Sequence, residues 1–201
     1  MRPVKALFAV AALAALWRAA AWPGDAHAAA AAEENEVAVT GQYRNVDYAY
    51  SVQIPTGLIA SRMKAPAPNH GVAMHAPGND ADILWVDGSF DAAGYGSAEA
   101  FARWMADDLT AKDGLSLSTI ARTALSGLDA RDVTLRRQTH GPASQARYAH
   151  FIVAFRSLGD DNTPIIYAIA VVASSPDAAV VKGFREVVES FRALPLPKRN
   201  Q

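Results

Sequence analysis

The sequence predicts an α+β fold, an antiparallel and twisted β-sheet of six to eight strands with a helix layer on each face, that is, an α/β/α sandwich. Two segments place apolar residues at helical spacing behind helix-start signals, and several others alternate with period two between turn formers. A third observation is Ile165-Ile166-Tyr167-Ala168-Ile169-Ala170-Val171-Val172, apolar on both sides of a strand, which requires cover on both faces of the sheet.

In chain order, residues 1–28 read as a secretory signal peptide. Arg2 and Lys5 form the basic start, residues 6–17 the apolar run, and Pro23-Gly24 breaks the helix before the small-residue site Ala26-His27-Ala28. That run is twelve residues long, against roughly 20 for a membrane-spanning helix. A longer anchor would have to bury Arg18 near its middle. The expectation is cleavage after Ala28 and a periplasmic or secreted protein without a membrane anchor. The chain has no cysteine, which excludes a lipid-acylated N-terminus, disulfides, thiolate metal sites and a cysteine nucleophile. Stability must therefore come from a packed core, and a segment of this length supplies one such core.

Residues 29–36, alanines followed by Glu33, Glu34 and Glu36, form a flexible lead-in, 37–194 a single α+β domain, and 195–201, with Pro195 and Pro197, a flexible tail. Cleavage removes Arg2, Lys5, Arg18 and Asp25 and takes the formal charge from -1 to -3. That near-neutral balance points to neither nucleic acid nor anionic lipid as a partner.

Strands are expected over 36–43, 48–54, 72–76, 83–87, 117–123, 130–139, 147–158 and 165–173. The last three form a meander, turned by Gly141-Pro142-Ala143-Ser144 and by Gly159-Asp160-Asp161-Asn162. In the first of these, Val133 and Leu135 alternate with Thr134 and Arg136, the pattern of a strand nearer the sheet edge. One helix opens at Ser97 as N-cap with Glu99 in its first turn, carries Phe101, Trp104, Met105 and Leu109 on one face, and ends near Lys112. The other opens at Ser175 with Pro176 at its first position and Asp177 by the positive dipole end. It carries Val180, Val181, Phe184, Val187, Val188 and Phe191 in one stripe.

Three phrases in this order carry a resemblance: Tyr48-Ala49-Tyr50-Ser51-Val52-Gln53-Ile54-Pro55-Thr56-Gly57, Leu125-Ser126-Gly127-Leu128-Asp129-Ala130, and Phe184-Arg185-Glu186-Val187-Val188-Glu189-Ser190-Phe191. They resemble the opening aromatic strand, central glycine turn and closing helix of the PsbP-like fold family, over residues 43–192. The resemblance implies an α/β/α sandwich and a non-enzymatic binding or scaffold protein. The family spans extrinsic photosystem subunits, a nuclear transport partner and exported bacterial proteins. Many bacterial relatives are lipoproteins, and the missing cysteine sets this chain apart from them. No family site maps onto its residues.

Catalytic signatures are weak. No Gly-x-Ser-x-Gly occurs; Ser89 reads as part of a strand-ending turn and Ser97 as a helix cap. Gly94-Tyr95-Gly96 precedes a helix but lacks the rest of a phosphate loop. His70 and His75 are five apart, on opposite faces of a strand, and a turn over 141–144 sets His150 against Leu135, away from His140. Asn79, Asp80, Asp82, Asp87 and Asp91 are the densest oxygen donors, but their spacing departs from a calcium loop and they read as a polar turn after Pro77-Gly78. Asp160-Asp161-Asn162 reads likewise. No catalytic, cofactor or metal residue is therefore assigned.

The loops over 59–69 and 88–96 are least explained by the core, and Phe90 and Tyr95 in the second are the candidate partner-binding residues. Trp85 and Trp104 read as core. The function expected is an exported binding or scaffold protein of the cell envelope that recognises a protein or envelope component. An immunity-type inhibitor of a secreted toxin or envelope hydrolase is the alternative. A hydrolase relying on Asp82 or His75 ranks last.

Overall fold

A computed structural model of the chain describes residues 38–62, 70–137, 148–158 and 163–196. The signal segment and lead-in, Pro66 and Pro68, His140, the turns over 141–144 and 159–162, and tail residues 197–201 lie outside the described residues.

Eight strands form one antiparallel sheet in the order β1-β4-β5-β6-β10-β9-β8-β7. They are β1 (Ala38–Val39), β4 (Ile59–Arg62), β5 (Gly71–Ala76), β6 (Asn79–Phe90), β7 (Ser116–Leu125), β8 (Leu128–Arg136), β9 (Tyr148–Arg156) and β10 (Ile165–Ala173). A second sheet of three strands, ordered β11-β3-β2, consists of β2 (Gln42–Asn45), β3 (Tyr50–Gln53) and β11 (Arg192–Ala193). The helices are α1 (Ala98–Asp113) and α2 (Ala179–Ser190).

The alternation of β10 divides the core in two. Tyr167, Ile169 and Val171 join a cluster with Val180, Phe184 and Val187 of α2 and with Tyr50 and Val52 of β3. Ile166, Ala168 and Ala170 join Phe101, Met105 and Leu109 of α1. The expected antiparallel α+β architecture with two helices is present, its large sheet having eight strands where six to eight were expected. A second, small sheet was not expected, and α2 shares its cluster with β3 of that sheet.

The small sheet exists because two expected strands break. The segment over 36–43 divides at Gly41, whose positive φ of 69° turns the chain. β1 then pairs with β4 in the large sheet and β2 with β3 in the small one. The strand expected from Tyr48 starts only at Tyr50, because Ala49 takes the left-handed region at φ 51°. In this layer β3 buries Ser51 as well as Tyr50 and Val52, so the polar side of its alternation is covered at Ser51 and reaches solvent only at Gln53.

α1 follows its capping chemistry. Ser97 Oγ accepts from Ala100 N–H at 3.1 Å, and Gly114 closes the helix at φ 61°. α2 starts three residues later than the Ser-Pro signal predicts, at Ala179 rather than Pro176. Ser175 Oγ instead accepts from Asp177 N–H at 3.2 Å, and its carbonyl from Ala178 N–H at 3.3 Å, which makes a separate turn ahead of the helix. β6 is longer than expected and absorbs Asn79, Asp80 and Asp82 at one end and Ser89 at the other, so neither group is a turn.

Candidate functional site

At the far end of β6 the chain builds an aromatic corner. Asn45 Oδ1 accepts from the N–H groups of Asp47 and Tyr48, both at 3.0 Å, and this turn swings Tyr48 across the large sheet. Tyr48 lands on Gly88, where a Cβ would stand 2.8 Å from Tyr48 Cβ and 2.9 Å from Tyr50 Cε1. Glycine is the residue that this close approach requires.

The Tyr48 ring stacks on His70 at 5.0 Å between centroids and meets Phe90 at 5.2 Å. The His70 carbonyl accepts from Gly88 N–H at 3.0 Å and from the Tyr50 hydroxyl at 2.8 Å. Its ring Nδ1 lies 3.0 Å from the Gly88 carbonyl, which can only accept, so Nδ1 carries the proton. Burial, with the charges of Asp87 and Asp47, pushes the Tyr48 phenol up to about 12, and it stays un-ionised. Tyr48 itself is buried. The large apolar side chains that the corner shows to solvent are Phe90, 44 % exposed, and Val46, 62 % exposed on the turn that carries Tyr48.

Tyr95 lies elsewhere. Asp91 accepts from the N–H groups of Tyr95 at 2.9 Å and Gly96 at 2.8 Å, closing the loop that leads into Ser97. The half-buried Tyr95 ring packs edge-on to Phe101 at 4.9 Å and against Trp104 at 5.5 Å, within the α1 cluster. The two candidates are therefore not brought together, since Phe90 rests on Tyr48 of the other cluster. Trp85 is buried in the α1 cluster, and Trp104 is partly buried at its margin.

The oxygen donors serve structure. Asp82 is buried; its carboxylate accepts from Ser174 N–H at 2.7 Å, Ser174 Oγ at 3.1 Å and Asn79 Nδ2 at 3.0 Å, which ties β6 to the segment after β10. His75 pairs with exposed Asp80 at 2.9 Å. Asp87 is buried on β6, and desolvation pushes its carboxyl up to about 7 against hydrogen bonds from Ser89 and Gly88. Among the described residues, no three His, Asp or Glu side chains gather as a metal site.

One constellation escaped the sequence reading. His150 Nε2 stands 2.7 Å from Asp132 Oδ1, the Tyr148 hydroxyl 3.3 Å from His150 Nδ1, and the Phe184 ring 4.4 Å from the imidazole. The expected turn set His150 against Leu135, whereas the register sets it against Thr134. A one-residue slip moves a side chain to the other face, so the shared face with Asp132 was hidden. Both imidazole nitrogens have partners, and the group fastens β8, β9 and α2 together.

No family model matches the sequence, and no curated protein is similar enough to count as a relative. Solved structures do match. Cyanobacterial PsbP (CyanoP) from Synechocystis superposes with a TM-score of 0.51 at 18% identity, covering 80% of this chain and 95% of that one. LpqN of Mycobacterium tuberculosis, described as involved in cell envelope biogenesis, superposes at 0.52 with 11% identity, covering 80% and 91%. The fold is PsbP-like.

Proposed function

We propose that this chain is an exported, non-enzymatic binding or scaffold protein of the cell envelope, cleaved after Ala28 to leave a single domain over 37–194. In this reading it is an α/β/α sandwich, with α1 on one face and α2 with the small sheet on the other. It recognises a protein or envelope component through the corner of Val46, Tyr48, His70 and Phe90. The observation that carries this is Phe90, a large apolar side chain left 44 % exposed yet braced by the buried Tyr48 ring at 5.2 Å. A rigid, exposed aromatic loses little entropy on contact, which favours it as an anchor. The fold shared with LpqN, whose description places it in envelope biogenesis, supports the envelope setting. Among the described residues no helix is long and apolar enough to cross a membrane.

The test is retention from a cell-envelope extract on immobilised protein, purified after export and compared with Phe90→Asp, with bound material identified by mass spectrometry. One dominant component held by the wild type and lost by the variant is expected. Equal retention by both, or none by either, would sink the reading. A stoichiometric hydrolase as that component would single out the inhibitor role.

A further inference from the structure

We propose that β7 is a pairing edge through which two copies of this chain associate, antiparallel and about a two-fold axis normal to the sheet. β7 ends the strand order and has β8 as its one neighbour among the described residues. The opposite edge, β1, is only two residues long against ten for β7. Long edge strands in proteins that stay single are guarded by lysine, proline, inward charge or bulges. β7, Ser-Leu-Ser-Thr-Ile-Ala-Arg-Thr-Ala-Leu, has no lysine, proline or acid. Its one irregularity lies between Leu117 and Thr119, after which the register with β8 runs unbroken to Leu125.

The single charge on the strand is already answered. Arg122 Nε lies 2.9 Å from Asp129 Oδ1 of β8, within the same hairpin. The formal net charge of -3 after cleavage is small enough to leave little long-range repulsion between copies.

Symmetry then narrows the register. A two-fold normal to the sheet keeps every side chain on its own face, so one residue must stand opposite its own copy. Centring on Arg122 would oppose like charges. Centring on Ala121 sets Thr119 against Thr123 and the aliphatic stem of Arg122 against Ile120, all within the regular stretch. Thr119, Ala121, Arg122 and Ala124 are exposed there, and Leu117 is 45 % exposed nearby. Small and hydroxylic side chains give a foreign peptide little to read, whereas this register lets the strand pair with its own copy without setting Arg122 directly opposite itself.

Light scattering of the protein purified after export, from micromolar to near-millimolar concentration, tests the inference beside Ala121→Lys and Ala121→Ser. The wild type and the serine variant should reach twice the monomer mass. The lysine variant, which opposes two charges across the axis, should stay monomeric with an unchanged circular dichroism spectrum. A wild type monomeric throughout, or a lysine variant that pairs like the wild type, overturns the inference. Amide exchange of the wild type gives a second reading independent of any variant: residues 119–123 should gain protection with concentration, and unchanged exchange overturns the proposal equally.

Discussion

The Tyr167 hydroxyl donates to the Tyr48 carbonyl at 2.7 Å, joining a central strand of the large sheet to the turn that carries the aromatic corner. Tyr167 stands directly opposite Gly88 in the β10–β6 ladder, the residue on which Tyr48 rests. Arg156 supports the same region, donating to the Leu194 carbonyl at 2.7 Å and reaching the Tyr167 hydroxyl at 3.4 Å.

Tyr167→Phe leaves the Tyr48 carbonyl without this donor while keeping the ring contacts to Tyr50 at 5.7 Å and Phe191 at 5.3 Å. The expected loss is about 1–3 kcal/mol of unfolding free energy, read by urea denaturation. Faster amide exchange around Tyr48 should accompany it. An unchanged midpoint would show that the bond does not hold the corner.

Gly88→Ala drives a methyl to within 2.8 Å of Tyr48 Cβ and 2.9 Å of Tyr50 Cε1. Both rings are buried and cannot withdraw freely, so overpacking should cost about 1–3 kcal/mol. Retention of the envelope component should fall with it, because the displaced Tyr48 no longer braces Phe90. A stable variant with full retention would separate the corner from binding.

Asp87 gives stability a pH slope. Its folded-state pKa is raised from 3.8 to about 7, so between those values the folded chain binds a proton that the unfolded chain has lost. Stability is full below the unfolded value, falls as pH rises towards about 7, and levels off above it. The size follows from about 1.4 kcal/mol per pKa unit, hence a few kcal/mol in all. Asp87→Asn should flatten this part of the profile and be relatively more stable at pH 8 than at pH 4. Parallel wild-type and variant profiles would show that the carboxyl is not held protonated.

Asp82→Ala removes the acceptor for Ser174 N–H and Oγ, at 2.7 and 3.1 Å. A loss of about 2 kcal/mol is expected, the size for hydrogen bonds to a charged group. His75→Ala, whose partner Asp80 is a solvent-exposed group, should cost less than about 1 kcal/mol. Equal losses in thermal and urea melts would contradict this division.

The legible parts of the fold are those fixed by local chemistry. Ser97, Glu99 and Gly114 bracket α1 because capping acts within a turn of helix. The doubly apolar 165–173 became β10 with both sides buried, since no edge strand could carry that pattern. The small sheet was not legible, because a left-handed Ala49 has no reliable sequence signal and depends on the sheet it turns onto. Phe90 and Tyr95 could be picked from loop position, but their separation could not: Phe90 ends β6 against Tyr48, whereas Tyr95 packs on Phe101 and Trp104 of α1. The Asp132–His150 pair was lost to a one-residue register error.

By itself the sequence determined the α+β class, both helices and the strands of the meander, because periodicity and caps are short-range properties. Tertiary structure alone decided that Tyr48 crosses to Gly88, that Tyr167 holds it there, and that Phe90 is left in solvent. Those contacts join residues far apart in the chain, and only the register of the large sheet and its meeting with the small one bring them together.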